Sequence, residues 1–418
     1  MATTAGKMKA LVYNGVGKVA LEERPLPTIQ KPGDAVVKMV YSTMYVARLF
    51  IKVRRTCMAC MATSWVLVIT AQVTTTPSKR HQLTPGFHSC GSDLHIIKGD
   101  VPTVSPGRVL GHEGVGIVTS TGASVSNFAA GDLVLVGCIT VCSTCAHCRR
   151  GMHSNCTGGG GWVLGHTVDG TQAQFVRIPH ADNSLYRVPE AVGKKADDLK
   201  ALVMVSDALP TGLECGAQNA RLAPGSSVVI VGAGPVGLAA LITAQLYSPG
   251  FVVVVDLDQE RLDVARGMGA QYTAKPDQAK ELVMRLTEGR GADAVMEVVG
   301  VPQTFELCQE LVAPGGVLAN VGVHGEKVDL HLETLWSRNI SITTRLVDTV
   351  TTPMLLKLFA AKKLPAEKLI THGFSFADIL NAYSTFRAAS TTKALKVIID
   401  FEQDVQGASG TGVRQNKL

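Results

Sequence analysis

Residues 138 to 156, CITVCSTCAHCRRGMHSNC, place five cysteines in nineteen positions. Four of them, Cys142, Cys145, Cys148 and Cys156, follow the rhythm C-x2-C-x2-C-x7-C. Short CxxC steps turn the backbone enough to gather four thiolates around a tetrahedral zinc, and four sulfurs leave no position for a substrate. This lobe reads as a structural centre, with Cys138 outside the rhythm as a spare and His147 and His153 as exposed loop residues. Catalysis has to lie elsewhere. CGSDLH supplies Cys90, Ser92 and His95, and GHEGVG supplies His112 and Glu113. Thiolate and imidazole suit zinc, and a carboxylate can complete such a set. Spacing leaves open whether Cys90 meets His112 or whether they are a buried thiol and a structural histidine.

A third pattern points to a nucleotide. The apolar run Val228 to Val231 meets Gly232, Gly234, Pro235, Val236 and Gly237, and then a helix-like stretch. Glycines there allow a tight turn and let the backbone approach a pyrophosphate at the positive end of a helix. Asp256 follows Gly237 by nineteen residues at the end of the next apolar run. A carboxylate in that place accepts hydrogen bonds from ribose hydroxyls and repels a 2′-phosphate, which favours NAD over NADP. Gly158 to Gly161 lack both the preceding strand and the following helix, and read as a flexible turn.

The elements that must position these residues form two textures. MKALVYNGVGKVALEERPLP, DAVVKMVYST and GDLVLVGC alternate apolar positions between turn residues, as short strands do. From residue 227 onward, apolar runs alternate with amphipathic ones, which indicates a parallel sheet with crossover helices. TPMLLKLFAAKKL and ALKVIIDF then suggest a helix and a strand returning to the first domain. A chain of 418 residues exceeds one typical core, and 46% hydrophobic with 18% charged residues describes a globular protein.

Charge and cysteine usage narrow the class. The net charge of +6 is local, because residues 44–89 hold Arg48, Lys52, Arg54, Arg55, Lys79 and Arg80 and no acid. No nucleic-acid partner is indicated. The apolar part of that segment falls short of the ~20 residues a membrane span needs. Its Cys57 and Cys60 form an isolated CxxC, read as part of an inserted loop. With no basic-then-apolar leader, a reducing cytoplasmic location is expected. The terminal Asn-Lys-Leu is a weak variant of the peroxisomal address, with Asn in place of the small first residue.

The order CGSDLH, GHEGVGIV, the four-cysteine lobe and VGAGPVGL resembles the zinc-containing alcohol dehydrogenases of the medium-chain dehydrogenase/reductase family. The resemblance covers roughly residues 7–43 and 90–400. It implies an α/β protein with a GroES-like β-rich catalytic domain and a Rossmann doubly wound parallel-sheet domain. The expected divisions are 1–206, with the insertion at 44–89 and the lobe at 138–156, then the NAD-binding domain at 207–345. Residues 346–401 return to the catalytic domain, and 402–418 form a polar, disordered tail. Cys90 and His112 match catalytic zinc ligands, and Glu113 matches a neighbouring carboxylate that can approach the metal. Asp207 takes the third ligand position, as in the branch resembling secondary-alcohol and glutathione-independent formaldehyde dehydrogenases, with Cys215 the competing candidate. Ser92 and His95 match proton-relay positions, and Lys396 a cation that touches the pyrophosphate. The implied cofactors are NAD and two zinc ions per chain, one catalytic and one structural. The implied substrate is a small alcohol or carbonyl compound, and the implied assembly a homo-oligomer, tetramer or dimer.

Relatives run from VYST almost directly into CGSDLH, whereas this chain interposes residues 44–89 beside a catalytic ligand. Closing such a loop costs ~3 kcal/mol, which a stable domain survives if the two ends stay adjacent. The insertion reads as foreign to a working enzyme, such as translated non-coding sequence. Two functions therefore compete: an active NAD-dependent zinc alcohol dehydrogenase, and a non-catalytic NAD- and zinc-binding protein whose catalytic loop the insertion disrupts. Elemental analysis of the full-length protein separates them. Two zincs per chain are expected of the enzyme, and one zinc would leave the lobe alone intact.

Overall fold

The computed structural model describes residues 6–44, 47–48, 89–90, 92–193 and 195–401, without the side chains of residues 47, 48, 89, 90 and 92. The expectations for residues 49–88, with Cys57 and Cys60, and for the 402–418 tail lie outside the described residues. So do the side chains of Cys90 and Ser92.

The apolar runs in the second half build a parallel sheet, six-stranded among the described residues. Its order is Tyr272–Ala274, Phe251–Val255, Ser227–Val231, Ala292–Glu297, Val312–Asn320 and Ser341–Thr344. This is the Rossmann order 3-2-1-4-5-6, whose reversal point lies at the end of Ser227–Val231. Helices cover both faces, so central strands such as Phe251–Val255 can be almost wholly valine. The Pro235–Ala244 helix is buried along its entire length, which explains its lack of a polar face.

The β-rich part centres on the ten-residue strand Ala35–Met44. It pairs antiparallel with Gly114–Thr121, Phe175–Ile178 and Lys396–Asp400. The last of these follows the Rossmann strands in sequence, so this sheet is closed by a segment from beyond the nucleotide half. Val397 stands opposite Met44 and Asp400 opposite Tyr41. One apolar core runs through both halves, joining Tyr41, Val115 and Leu135 to Leu209, Leu213, Ile230 and Leu241.

The chain enters the nucleotide half through a short helix, Ala208–Thr211, that widens into a π-helical turn at Gly212–Gln218. Such wide turns recur at functional sites. Here the turn lies against the Pro235–Ala244 helix, and Gly212 permits the contact: a methyl group there would stand 2.5 Å from Ala240 N. At the insertion, Ala47 pairs with Cys90 and Arg48 with Ser89, antiparallel, so the two ends are adjacent. Among the described residues, no helix is long and apolar enough to cross a membrane. Gly212→Ala is expected to cost about 2 kcal/mol by overpacking this crossing, measured by urea unfolding.

Candidate active site

Two short segments converge beneath a cavity of about 150 Å³ between the two halves of the molecule. His112 follows the Gly111 turn that leads into Gly114–Thr121, and Asp207 begins the Ala208–Thr211 helix. His112 Nε2 lies 3.5 Å from Asp207 Oδ2, and both side chains are buried. Thr211 donates to Asp207 Oδ1 at 2.9 Å, which leaves Oδ2 facing the imidazole. Burial alone would lower the His112 pKa. The hydrogen bond and charge of Asp207, aided by Asp93 and Glu113, outweigh it and raise the imidazole to about 9. Burial likewise opposes ionisation of Asp207, yet His112 draws its carboxyl down to about 2. A divalent cation that takes both atoms as ligands replaces the proton they share. A buried imidazole and carboxylate aimed at each other on a cavity floor are donors that fit zinc.

His95 lies on the Ser92–Lys98 helix and lines the same cavity. Its Nδ1 is 2.7 Å from Asp100 Oδ2, and its buried Nε2 has no partner among the described residues. Burial of Asp100 would raise its pKa, but the bond from His95 and the charge of Lys98 hold it below the usual carboxylate range. The backbone of Cys90, two residues before this helix, pairs with Ala47.

Glu113 is turned to a different partner. Its carboxylate accepts from Lys396 Nζ at 2.8 and 2.5 Å and from the Thr43 hydroxyl. Lys396 has no exposed surface. The expectation that Lys396 touches a pyrophosphate is therefore corrected: its ammonium is engaged with the carboxylate beside His112.

Several pocket residues were not found from the sequence. Cys138, set aside as a spare, lines the cavity with Cys215, Ile139 and Trp162. Burial pushes the Cys138 thiol well up, and the nearby carboxylates of Asp207, Glu113 and Glu214 add to this. Trp162 meets the His112 ring edge-on at 6.3 Å. Asp93 is buried below, receiving Gln172 Nε2 at 2.8 Å, and Gln172 in turn receives the Tyr383 hydroxyl at 2.8 Å. Burial raises the Asp93 carboxyl, against the pull of His112.

The opposite wall comes from the nucleotide half, through Val236, Val298 and Val321. Gly232 has φ +116°, and a methyl group on Gly237 would stand 1.9 Å from Gly232 O, so only glycine closes this turn. Gly234 caps the helix that opens with Pro235 and Val236. Asp256 holds the loop from outside, its Oδ2 accepting Ala233 N–H at 2.7 Å. Burial raises the Asp256 carboxyl, opposed by the charge of Arg261. A turn this tight at the end of the first strand fits a dinucleotide pyrophosphate.

Comparison with known proteins bears on the family and the fold. Residues 86–190 match the alcohol dehydrogenase GroES-like domain and residues 235–361 the zinc-binding dehydrogenase family. The zinc dependent alcohol dehydrogenase 2 of Streptococcus pneumonia superimposes with a TM-score of 0.79 at 41% identity, covering 94% of this chain and 98% of that one. The chain belongs to the zinc-type alcohol dehydrogenases. Zinc-type alcohol dehydrogenase B of Aspergillus flavus is 33% identical over 349 residues, 81% of this chain and 69% of that protein. The NADP-dependent isopropanol dehydrogenase of Thermoanaerobacter brockii is 31% identical over 70% of this chain and 85% of its own length.

In this zinc-type alcohol dehydrogenase the lobe gathers four thiols that could hold a metal ion. The sulfurs of Cys142, Cys145, Cys148 and Cys156 all lie within 4.8 Å of one another. Cys142 and Cys148 are 3.8 Å apart, the edge of a tetrahedron with Zn–S bonds of about 2.3 Å. Backbone N–H groups already face the sulfurs: Cys145 N donates to Cys142 and Cys148 N to Cys145, each at 3.4 Å. The N–H groups of Cys148 and Thr157 hold the Cys145 thiol at about 5, while burial pushes Cys148 up to about 12. Gly158 to Gly161 belong to this packing, with Gly158 N donating to Cys156 Sγ at 3.4 Å and Gly161 bridged to Thr140. His147 and His153 are half-buried where exposure was expected, and His153 Nδ1 bonds the Asp348 carbonyl at 2.9 Å. Lys396→Met leaves the Glu113 carboxylate buried beside an apolar chain, and a loss of about 3 kcal/mol is expected in denaturant unfolding.

Proposed function

We propose that this zinc-type alcohol dehydrogenase transfers a hydride between a primary or secondary alcohol and NAD, giving an aldehyde or ketone and NADH. The observation that carries this reading is the pairing of His112 with Asp207, 3.5 Å apart on the floor of a cavity walled by the dinucleotide loop. Cys90, His112 and Asp207 would hold the catalytic zinc, with Glu113 adjacent, and the four lobe cysteines the structural one. When bound, the catalytic zinc polarises the alcohol oxygen as a Lewis acid, and NAD takes the hydride.

The protein's own groups do the rest. Ser92 would receive the hydroxyl proton and pass it towards His95, a residue of the cavity lining. Asp100 fixes the Nδ1 of that ring, which orients the imidazole for exchange with solvent. Cys138, Ile139, Trp162 and Val347 shape the alcohol's side of the pocket, which supports a small uncharged substrate. Asp256 supports NAD, because a carboxylate following the second strand of such a sheet would accept hydrogen bonds from ribose hydroxyls and repel a 2′-phosphate. The Ser341–Thr344 strand pairs on one side only among the described residues, beside the exposed Trp336 and Leu346, which supports a homo-oligomer. The reading as a non-catalytic NAD- and zinc-binding protein is not favoured by relatives that are named dehydrogenases over most of their length.

The test is NADH absorbance with the full-length chain and a panel of ethanol, 2-propanol and longer alcohols. A kcat/KM for NAD at least about tenfold above that for NADP is expected. Asp207→Ala is expected to lower zinc from two per chain to one and turnover by about a thousandfold. Two zincs with no turnover of any alcohol would overturn the catalytic reading, and a preference for NADP would overturn the coenzyme assignment.

A further inference from the structure

Glu214 is an unexplained carboxylate. It sits in the π-helical turn with no exposed surface, between the pocket residues Thr211 and Cys215. A buried charge of this kind is costly unless its lone pairs are filled. They are: Oε2 accepts Asp348 N–H at 2.8 Å, and Oε1 accepts Thr351 N–H and the Thr351 hydroxyl, each at 2.8 Å. Arg345 Nη2 lies 3.9 Å from it and 2.9 Å from Asp348 Oδ2.

The two N–H groups bracket Thr349, whose φ is +58° and whose side chain is buried. A β-branched residue in the left-handed region is an outlier that persists only where its surroundings over-determine it. Those surroundings are specific. The Tyr186 hydroxyl donates to Thr349 O at 3.2 Å, and Ser154 donates to Asp348 Oδ1 through its N–H at 2.8 Å and its hydroxyl at 2.7 Å. Ser154 lies within the zinc lobe, between Cys148 and Cys156. Just before this turn, Arg345, Leu346 and Val347 form one wall of the active-site cavity.

We propose that Glu214 is a positioning residue for the substrate pocket: it holds the strained 348–351 turn from inside while the four-cysteine lobe holds it from outside, and together they set the 345–347 wall. The carboxylate's hydrogen bonds go to the turn, so its role is not that of a metal ligand. The lobe gains a catalytic consequence, since it fixes through Asp348 a wall of the pocket in which the alcohol reacts. This inference rests on the alcohol reading proposed above.

The experiment uses the full-length chain with its zinc. Glu214→Gln turns an amide N–H towards the Asp348 N–H and breaks one side of the clamp. The readouts are alcohol KM and kcat, zinc content, thermal midpoint and the Kd for trifluoroethanol, an unreactive alcohol, followed by isothermal titration calorimetry. Expected are two zincs retained, kcat within about threefold, and KM and Kd both raised about tenfold. Thr349→Gly added to that variant is expected to return KM and Kd to within about threefold of wild type, because glycine adopts a positive φ without cost. Thr351→Val, which removes a single hydroxyl bond, should raise Kd about threefold should Glu214→Gln fail to fold. Asp34→Asn is the control for stability alone, since Asp34 is buried, paired with Arg177 and remote from the cavity. A Glu214→Gln protein that loses thermal stability as Asp34→Asn does, with KM and Kd unmoved, would overturn the proposal. Failure of the glycine rescue would also overturn it. Wild-type protein that neither turns over an alcohol nor binds trifluoroethanol overturns the alcohol reading, and this inference with it.

Discussion

A lysine with no exposed surface facing a glutamate with almost none is the interaction on which the catalytic half depends. Lys396 comes from the last strand among the described residues and Glu113 from the residue after a candidate zinc ligand, 283 positions apart in sequence. Neither could enter the interior alone at tolerable cost, because each desolvated charge needs the other's field and hydrogen bonds. The pair therefore ties the electrostatics beside His112 to the completion of the Ala35–Met44 sheet. Only when the Lys396–Asp400 strand has docked does Glu113 have its counter-charge. The Rossmann sheet interrupts the catalytic domain in sequence, and the ion pair joins the two parts that it separates.

The same logic of paired demands recurs around the cavity. His112 and Asp207 satisfy each other and are also the donors a cation would take. Asp93 lies under His112 and is braced by Gln172 and Tyr383, so the imidazole is surrounded by carboxylates held from different elements. Glu214 supplies the acceptor that a left-handed threonine turn requires, and the lobe supplies the donors on its far side. Each buried charge in this region has its geometry set by partners distant in sequence, which makes the pocket rigid where chemistry needs rigid placement.

What the sequence reveals follows from the range of each interaction. The Rossmann half was legible because alternating apolar strands and helices, a glycine turn and an acid after the second strand are all local features. The GroES-like half was legible through ordered motifs, and the lobe through CxxC spacing that closes within nineteen residues. Lys396 was misread because a lysine in an apolar strand shows nothing of what faces it across a sheet. Cys138 was set aside because it breaks the cysteine rhythm, although its place on the cavity wall comes from the end of the Leu133–Val136 strand. Glu214 and Thr349 carried no signal at all: a positive φ at threonine and a carboxylate's three donors exist only in the folded chain. His153 gave a false one, since a histidine in a loop of thiolates suggests exposure and instead bonds the backbone of the 348–351 turn.

The antiparallel stub formed by Ala47, Arg48, Ser89 and Cys90 has a topological consequence. It makes the chain leave and re-enter the domain at one point, as a two-strand hairpin does. Closing a connection between two ends already held together costs entropy that grows only with the logarithm of its length. The doorway beside Cys90 is thus a natural port in this architecture. A short turn across it would leave the catalytic sheet's register untouched, and a folded module with neighbouring termini could be seated there in its place.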